Sequence, residues 1–279
     1  MSKVITGIII TSMLLAVGAF FFFPAKTFNA VVVPILDATM EKNAPETETN
    51  TPQHTLREPP PNAEEIKPRV VPTQSIKIEA SMPLLPPPAQ LNGSDAKLLS
   101  TAHKINPKFT EWLTPAEQIR KWTAFVDHLA QKKLLTKYRP LVFKPSPFKV
   151  ISKNGKLYSS PENSQRYNAL IEAITFVEPN LLARYYHYWL PIFDQAYAEL
   201  GNSSHFDERL KRAIDTILSV TPLDTEHAAL ETPTSVTYKY INTDIETSSA
   251  ITKWVWRIGP DNAKKLQGYL RNFLAQLEN

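Results

Sequence analysis

Few residues in this sequence combine the types and spacings that chemistry requires. There is no cysteine, which excludes structural disulfides, thiolate nucleophiles and cysteine-ligated zinc. The first group worth weighing is Arg166, Tyr167, Tyr197, Glu199 and Asp215, polar side chains set within otherwise apolar helical runs. A cation, two phenols and two carboxylates suffice for an acid–base site if the fold gathers them; helix caps and buried hydrogen bonds account for the same residues without chemistry. The second group is Lys253, Arg257 and Asn262. Lys253 and Arg257 share a helix face at i, i+4, and the amides after Gly259 open a new helix at Pro260-Asp261-Asn262, an arrangement suited to an anion. Two solvated cations favoured by the dipole at a helix C-terminus are the plain alternative.

The six histidines are scattered. His187 stands seven and twelve residues from Asp194 and Glu199, poor spacing for one metal, and reads as structural. Asp127 and His128 are adjacent, so on a helix they point roughly 100° apart. The run Tyr185-Tyr186-His187-Tyr188-Trp189 has the rings to stack sugars or bases, but part of it lies on the inward stripe of a helix, which makes it core, leaving His187 and Tyr188 to face a ligand. Nucleophile elbows, phosphate-cradling glycine loops and paired zinc histidines do not occur. No catalytic residue, metal ligand or cofactor is assigned, and the balance of signals leans away from an enzyme.

The elements that position these residues are mainly helical. Ser94 reads as an N-cap ahead of Leu98, Leu99, Ala102 and Ile105. Thr114-Pro115 with Glu117 reads as cap, N1 proline and N3 acid for a helix that turns Ile119, Trp122, Phe125, Val126 and Leu129 inward. Asn154-Gly155 between two apolar runs is a type I′ hairpin signal, the one clear β element. Helices resume at Pro161 and again at Pro179, the latter running to a Gly201 stop and kinked or broken at Pro191. Phe206 to Val220 forms a further helix, Val236 to Tyr240 a strand, and a terminal helix pair is split at Gly259-Pro260. The fold class is therefore mainly α, a helical globular domain with one short β-hairpin over residues 91–279.

Two segments precede it. Val4 to Phe23 is a run of 20 uncharged residues, 12 of them Ile, Leu, Val or Phe. As a helix it spans ~30 Å, the thickness of a bilayer core, so residues 1–24 read as a single transmembrane anchor. The run is longer than a signal-peptide core and lacks a small-x-small cleavage site. The short N-terminal flank favours an inner-membrane protein with its C-terminal domain in the periplasm. Residues 25–90 read as a disordered, proline-rich linker, since 12 of the 24 prolines lie between Pro34 and Pro88 with no glycine among them. Two apolar runs interrupt it: Val31 to Leu36 suits the membrane interface, and Met82 to Leu85 suits docking on the domain. Charge within the domain is uneven, with 13 Lys and Arg against Glu111, Glu117 and Asp127 from Lys97 to Lys156, and 11 against 15 acids after Pro161. A basic surface for an anionic lipid or cell-wall polymer and a mixed, solvated surface both fit.

Several strings together resemble one family. They are Phe125-Val126-Asp127-His128-Leu129-Ala130, Arg139-Pro140-Leu141, Arg166-Tyr167, Pro191-Ile192-Phe193, Ala196 to Gly201, Ala213-Ile214-Asp215, and Lys253 through Arg257 to Asn262. The family is bacterial, mainly proteobacterial, and known only as a domain of unknown function, family 3014. The resemblance implies a membrane anchor, a variable linker and this domain, with no reaction attached. His128 and Trp254-Val255-Trp256 depart from the pattern. The function expected is an envelope interaction or assembly module that meets a protein or cell-wall partner. A binding module for an anionic polymer and an enzyme with an unrecognised site are the alternatives; nucleic acid is not an expected partner.

Overall fold

The computed structural model describes residues 31–34, 83–135, 137–202, 205–231 and 237–278, the first stretch as backbone only. The expected membrane span at Val4 to Phe23 lies outside these residues. Among the described residues no helix is long and apolar enough to cross a membrane.

Four long helices build the core. Helix α3 (Gln118–Ala130) packs against α6 (Phe206–Leu218) and against α5 (Pro179–Ala198), and the C-terminal α9 (Pro260–Leu277) lies against α5 and α6. Their apolar stripes meet in a closed interior: Trp122, Val126 and Leu129 face Phe193, Leu210, Ile214, Leu270 and Phe273, all buried. Helical periodicity placed these residues correctly, because a stripe at 3.6-residue spacing has only one face to bury. Helices α1 (Asp95–Ile105), α2 (Pro107–Thr110) and α4 (Asn168–Ile174) close one end. Helices α7 (Thr243–Thr247) and α8 (Ala250–Arg257) lead into α9.

Two helix starts are capped from other helices, and Ser94, the expected cap of α1, makes no side-chain capping bond. Helix α3 begins at Gln118, three residues later than Thr114-Pro115 implies, with Glu117 left-handed at φ 59°. Its first amides are capped from another helix: Asp95 accepts from the amides of Glu117 and Gln118, each at 2.8 Å. Thr114 is occupied elsewhere, its hydroxyl donating to the carbonyls of Arg139 and Pro140 at 3.2 and 3.1 Å. Helix α6 is treated alike, since Asp194 of α5 accepts from the Phe206 amide at 2.8 Å. Pro191 does not break α5, which runs unbroken over 20 residues.

The expected hairpin is present as β2 (Lys149–Lys153) and β3 (Lys156–Ser159), antiparallel around Asn154 at φ 51° and Gly155 at φ 71°. It is not alone. The short β4 (Ala229–Leu230) pairs antiparallel with β3, so one hairpin becomes a three-stranded antiparallel sheet. The strand expected at Val236 to Tyr240 is reduced, within the described residues, to a single bridge between Leu230 and Tyr240; Val236 lies outside them.

Both apolar runs in the proline-rich interval contribute to this unit. Val31–Pro34, here β1, runs parallel to β2 with Val31 opposite Lys149; β-branched residues suit extended pairing. Leu85 lies on α5, its amide donating to the Tyr185 hydroxyl at 3.1 Å and its carbonyl accepting from the Trp189 indole at 3.2 Å. Docking of this second run thus uses the polar handles of two buried rings.

Candidate functional site

The five residues of the first sequence-derived group separate into different surroundings. Tyr197 is buried, its ring edge-on to Phe206 at 5.8 Å. Glu199 lies exposed at the end of α5 and holds Arg120 in a two-pronged pair at 2.5 and 2.9 Å. Arg120 also reaches Asn92 at 2.7 Å and Glu117 at 3.2 Å, and this arrangement keeps the Glu199 carboxyl below the ordinary range. Asp215 is exposed on the outer face of α6. Arg166 and Tyr167 sit together in a 3₁₀ turn (Gln165–Tyr167) that follows the hairpin.

The second group separates too. Lys253 donates to the Glu246 carbonyl at 2.7 Å and lies 3.7 Å from its carboxylate. Asn262 is a structural clamp: its side-chain amide donates to the carbonyls of Ile258 at 2.9 Å and Ser164 at 3.3 Å, and to the Asn168 side chain at 2.9 Å. Arg257 has no hydrogen bond or ion pair among the described residues.

What the fold brings together is one half of each group. The corner between α8 and α9 presses on the turn that carries Arg166. Gly259, at φ 85°, is so close to Ser164 that a Cβ there would stand 2.4 Å from the serine Cβ, and the Asn262 clamp spans the same contact. Across it, Arg257 acts electrostatically on both Arg166 and Tyr167, as does Tyr240 from the bridge to β4. The result is a cluster of two guanidinium groups and two phenols.

Arg166 is held firmly. Its Nε donates to the Asn163 carbonyl at 3.0 Å and its Nη1 to the Ser146 carbonyl at 2.8 Å. Its guanidinium lies 5.4 Å from the rings of both Phe148 and Tyr167, a cation–π geometry. Burial, then the charge of Arg257, lowers its affinity for a proton, with Tyr167 opposing. Burial also pushes the Tyr167 phenol up to about 12, against the pull of the two arginines. At neutral pH Tyr167 is far from giving up its proton. Such a set binds and orients an anion rather than moving protons.

Around this cluster lies a small core of its own. Val150, Leu230, Tyr240 and Ile245 are buried together, with Phe148, Leu157, Tyr238 and Trp256 half-buried against them. The Trp256 indole donates to the Thr221 carbonyl at 2.9 Å and fixes α8. A separate open cleft of about 450 Å³ is lined by Asp224, His227, Ala228, Ala229, Ile241, Asn242 and Ile245. It carries no lysine or arginine, so its chemistry differs from that of the arginine cluster.

Sequence reasoning singled out Arg166, Tyr167 and Arg257 but assigned them to two sites. It missed Tyr240 and the ring of Phe148, whose separations from Arg166 give no periodic signal. One signal was present: Arg166-Tyr167 and Arg257 to Asn262 are both among the strings that carry the family resemblance, and these strings meet in space at the Ser164 corner. The sequence model of a protein family of unknown function, DUF3014, matches residues 118–274, more than half of the chain. The chain belongs to the DUF3014 family. No curated protein and no solved structure matches it. The matched stretch contains every residue of the arginine cluster, whereas Asp95 and the docked Leu85 lie outside it.

Proposed function

We propose that this DUF3014 protein is a membrane-anchored binding module of the cell envelope, whose helical domain, held outside the cytoplasm, recognises an anionic group on its partner. The observation that carries this reading is Arg257, a half-buried guanidinium with no hydrogen bond or ion pair among the described residues, at the corner where Gly259 packs on Ser164. A partly buried cation without a partner costs folding free energy, and a structural role would be served more cheaply by pairing it with an acid. The acids are available: Glu199 pairs Arg120, Asp127 pairs Arg209 and Glu162 pairs Lys149. A guanidinium left without an acid is the electrostatic complement of an anionic ligand.

Placement rests on the uncharged run Val4 to Phe23 and its three-residue flank. The polymer-binding reading drew on the basic stretch Lys97 to Lys156. Arg120 and Lys149 of that stretch are ion-paired, and Lys121 donates to Thr114 at 3.0 Å. A reporter enzyme fused after Asn279 is expected to be active only outside the cytoplasm. Crosslinking in native membranes is expected to capture a partner with the wild-type chain and to lose it with Arg257→Gln. Capture that is indifferent to Arg257, or a reporter active in the cytoplasm, contradicts the proposal.

A further inference from the structure

We infer that β1 is a strap: seated on the edge of β2, it holds the domain close to the bilayer, so that the length of the proline-rich interval does not set their separation. This rests on the membrane-anchored reading above and adds where the domain meets its partner.

The outer edge of β2 needs a partner. The Lys149 carbonyl accepts from the Ser160 amide at 3.1 Å, on the side of β3. Backbone groups of successive residues in an antiparallel pair alternate in direction, so Val150 and Ser152 turn theirs to the opposite edge. Val150 is fully buried among Leu230, Tyr240 and Ile245, and buried peptide groups left unpaired are costly. Strand β1 meets that edge in parallel register, Val32 beside Val150 and Pro34 beside Ser152. Three consecutive valines favour an extended backbone, and Pro34, with no N–H to give, ends the run. The other side of the sheet is already closed: the Ile241 amide donates to the Ala229 carbonyl at 3.0 Å and the Glu231 amide to the Lys239 carbonyl at 2.9 Å.

Chain length turns this pairing into a distance. Seven residues, Pro24 to Ala30, separate the uncharged run from Val31, and fully extended they span at most ~25 Å. Without β1, the next hold on the domain is Leu85, fixed by Tyr185 and Trp189. The 61 residues from Pro24 to Leu84 would then intervene, with a covalent bound of ~200 Å. With β1 seated, the chain from Ile35 to Leu84 starts and ends on the domain, and its length drops out of the separation. The domain is therefore confined to an anionic group that lies at or near the membrane surface.

The test is energy transfer from the full chain to acceptor dyes in the headgroups of phosphatidylcholine vesicles. The donor sits on one engineered cysteine, Lys153→Cys, at the exposed end of β2; the chain has no cysteine of its own. A flexible Gly/Ser insert of about 20 residues is placed either between Lys26 and Thr27 or between Asn50 and Thr51. The strap makes these inserts unequal. The first should about double the mean span of the short segment and lower transfer about two-fold or more, and the second should leave transfer unchanged. In a chain without the strap, both inserts lengthen the same tether and act alike. Val33→Pro, which takes an N–H out of β1, is expected to lower transfer at least as far as the first insert and to make the two inserts equivalent. Inserts that act alike in the parent chain, while it floats with the vesicles, overturn the strap and leave the anchor standing. Inequality that persists in Val33→Pro assigns the hold to another segment and also overturns the strap. A chain that does not float with the vesicles overturns the membrane reading and the strap together.

Discussion

The helical core and the hairpin-side cluster of this domain treat buried charge in opposite ways. In the core each charge is answered. Asp127 of α3 accepts from Arg209 of α6 at 2.7 Å and from Gln131 at 2.7 Å. Gln118, fully buried, donates to Thr114 and Pro140 and accepts from the Trp122 indole at 3.0 Å. Gln267 closes the far end on the carbonyls of Ile217 and Val220, at 2.9 and 2.7 Å. In the hairpin-side cluster, Arg257 is unanswered among the described residues. Satisfied networks specify one packing, whereas uncompensated charge beside a small apolar cluster marks a surface kept for something else. The core is the scaffold, and the cluster is where binding is expected.

The corner that joins the two regions should be the most sensitive position. Gly259→Ala forces a Cβ to 2.4 Å from Ser164 at φ 85°. Left-handed strain and overpacking together are expected to cost about 4 kcal/mol, read as a lowered midpoint in urea unfolding. A loss below about 1 kcal/mol would mean that the two regions are not rigidly joined there. Asp127→Ala tests the core side. It strands Arg209, whose side chain is 18% exposed against 12% for Asp127, and is expected to cost about 3 kcal/mol with no effect on anion binding.

These contrasts also show what the sequence could and could not disclose. Stripes such as Ile119-Trp122-Val126-Leu129 and Leu266-Leu270-Phe273-Leu277 were legible because a helix buries one face, and Asn154-Gly155 because only a few residue pairs accept two left-handed turns. The caps were not. Asp95 serves α3 from 22 residues away and Asp194 serves α6 from 12, and a carboxylate reaching in from another helix leaves no local signature, so Thr114 and Glu117 filled the role on paper. The arginine site failed to emerge for the same reason. Arg166 and Arg257 lie on segments joined by the packing of Gly259 against Ser164 and by the Asn262 clamp, and neither neighbourhood announces the other.

A pH series sharpens the comparison further. Burial raises the Tyr167 phenol from its usual 10 to about 12 in the fold. A group with a raised folded value contributes stability that is complete below pH 10 and is lost as pH rises through about 12, because the unfolded chain ionises first. For Tyr167 the loss is expected to be on the order of 2–3 kcal/mol. Tyr185 on α5, raised to about 12 by burial and opposed by the hydrogen bond it accepts from the Leu85 amide, should ionise in the same range with that bond retained, since a phenolate is the stronger acceptor. Tyrosinate absorbance followed alongside circular dichroism reports both; ionisation of all tyrosines near pH 10 without unfolding would contradict this. The smallest effect is expected at the exposed Arg120–Glu199 pair, where Glu199→Gln should cost about 0.5 kcal/mol and less in high salt.

The central claim, that Arg257 is kept for a ligand and not for the fold, is tested most directly by thermal unfolding of the wild type and Arg257→Gln with and without glycerol phosphate as an anionic probe. Without ligand, the variant should be as stable as the wild type or slightly more so, since a half-buried cation without a partner is removed. With ligand, the wild-type midpoint should rise by mass action and the variant midpoint should stay in place. A variant that is clearly less stable in the absence of ligand, or one whose midpoint rises with ligand as far as the wild type's, contradicts the account.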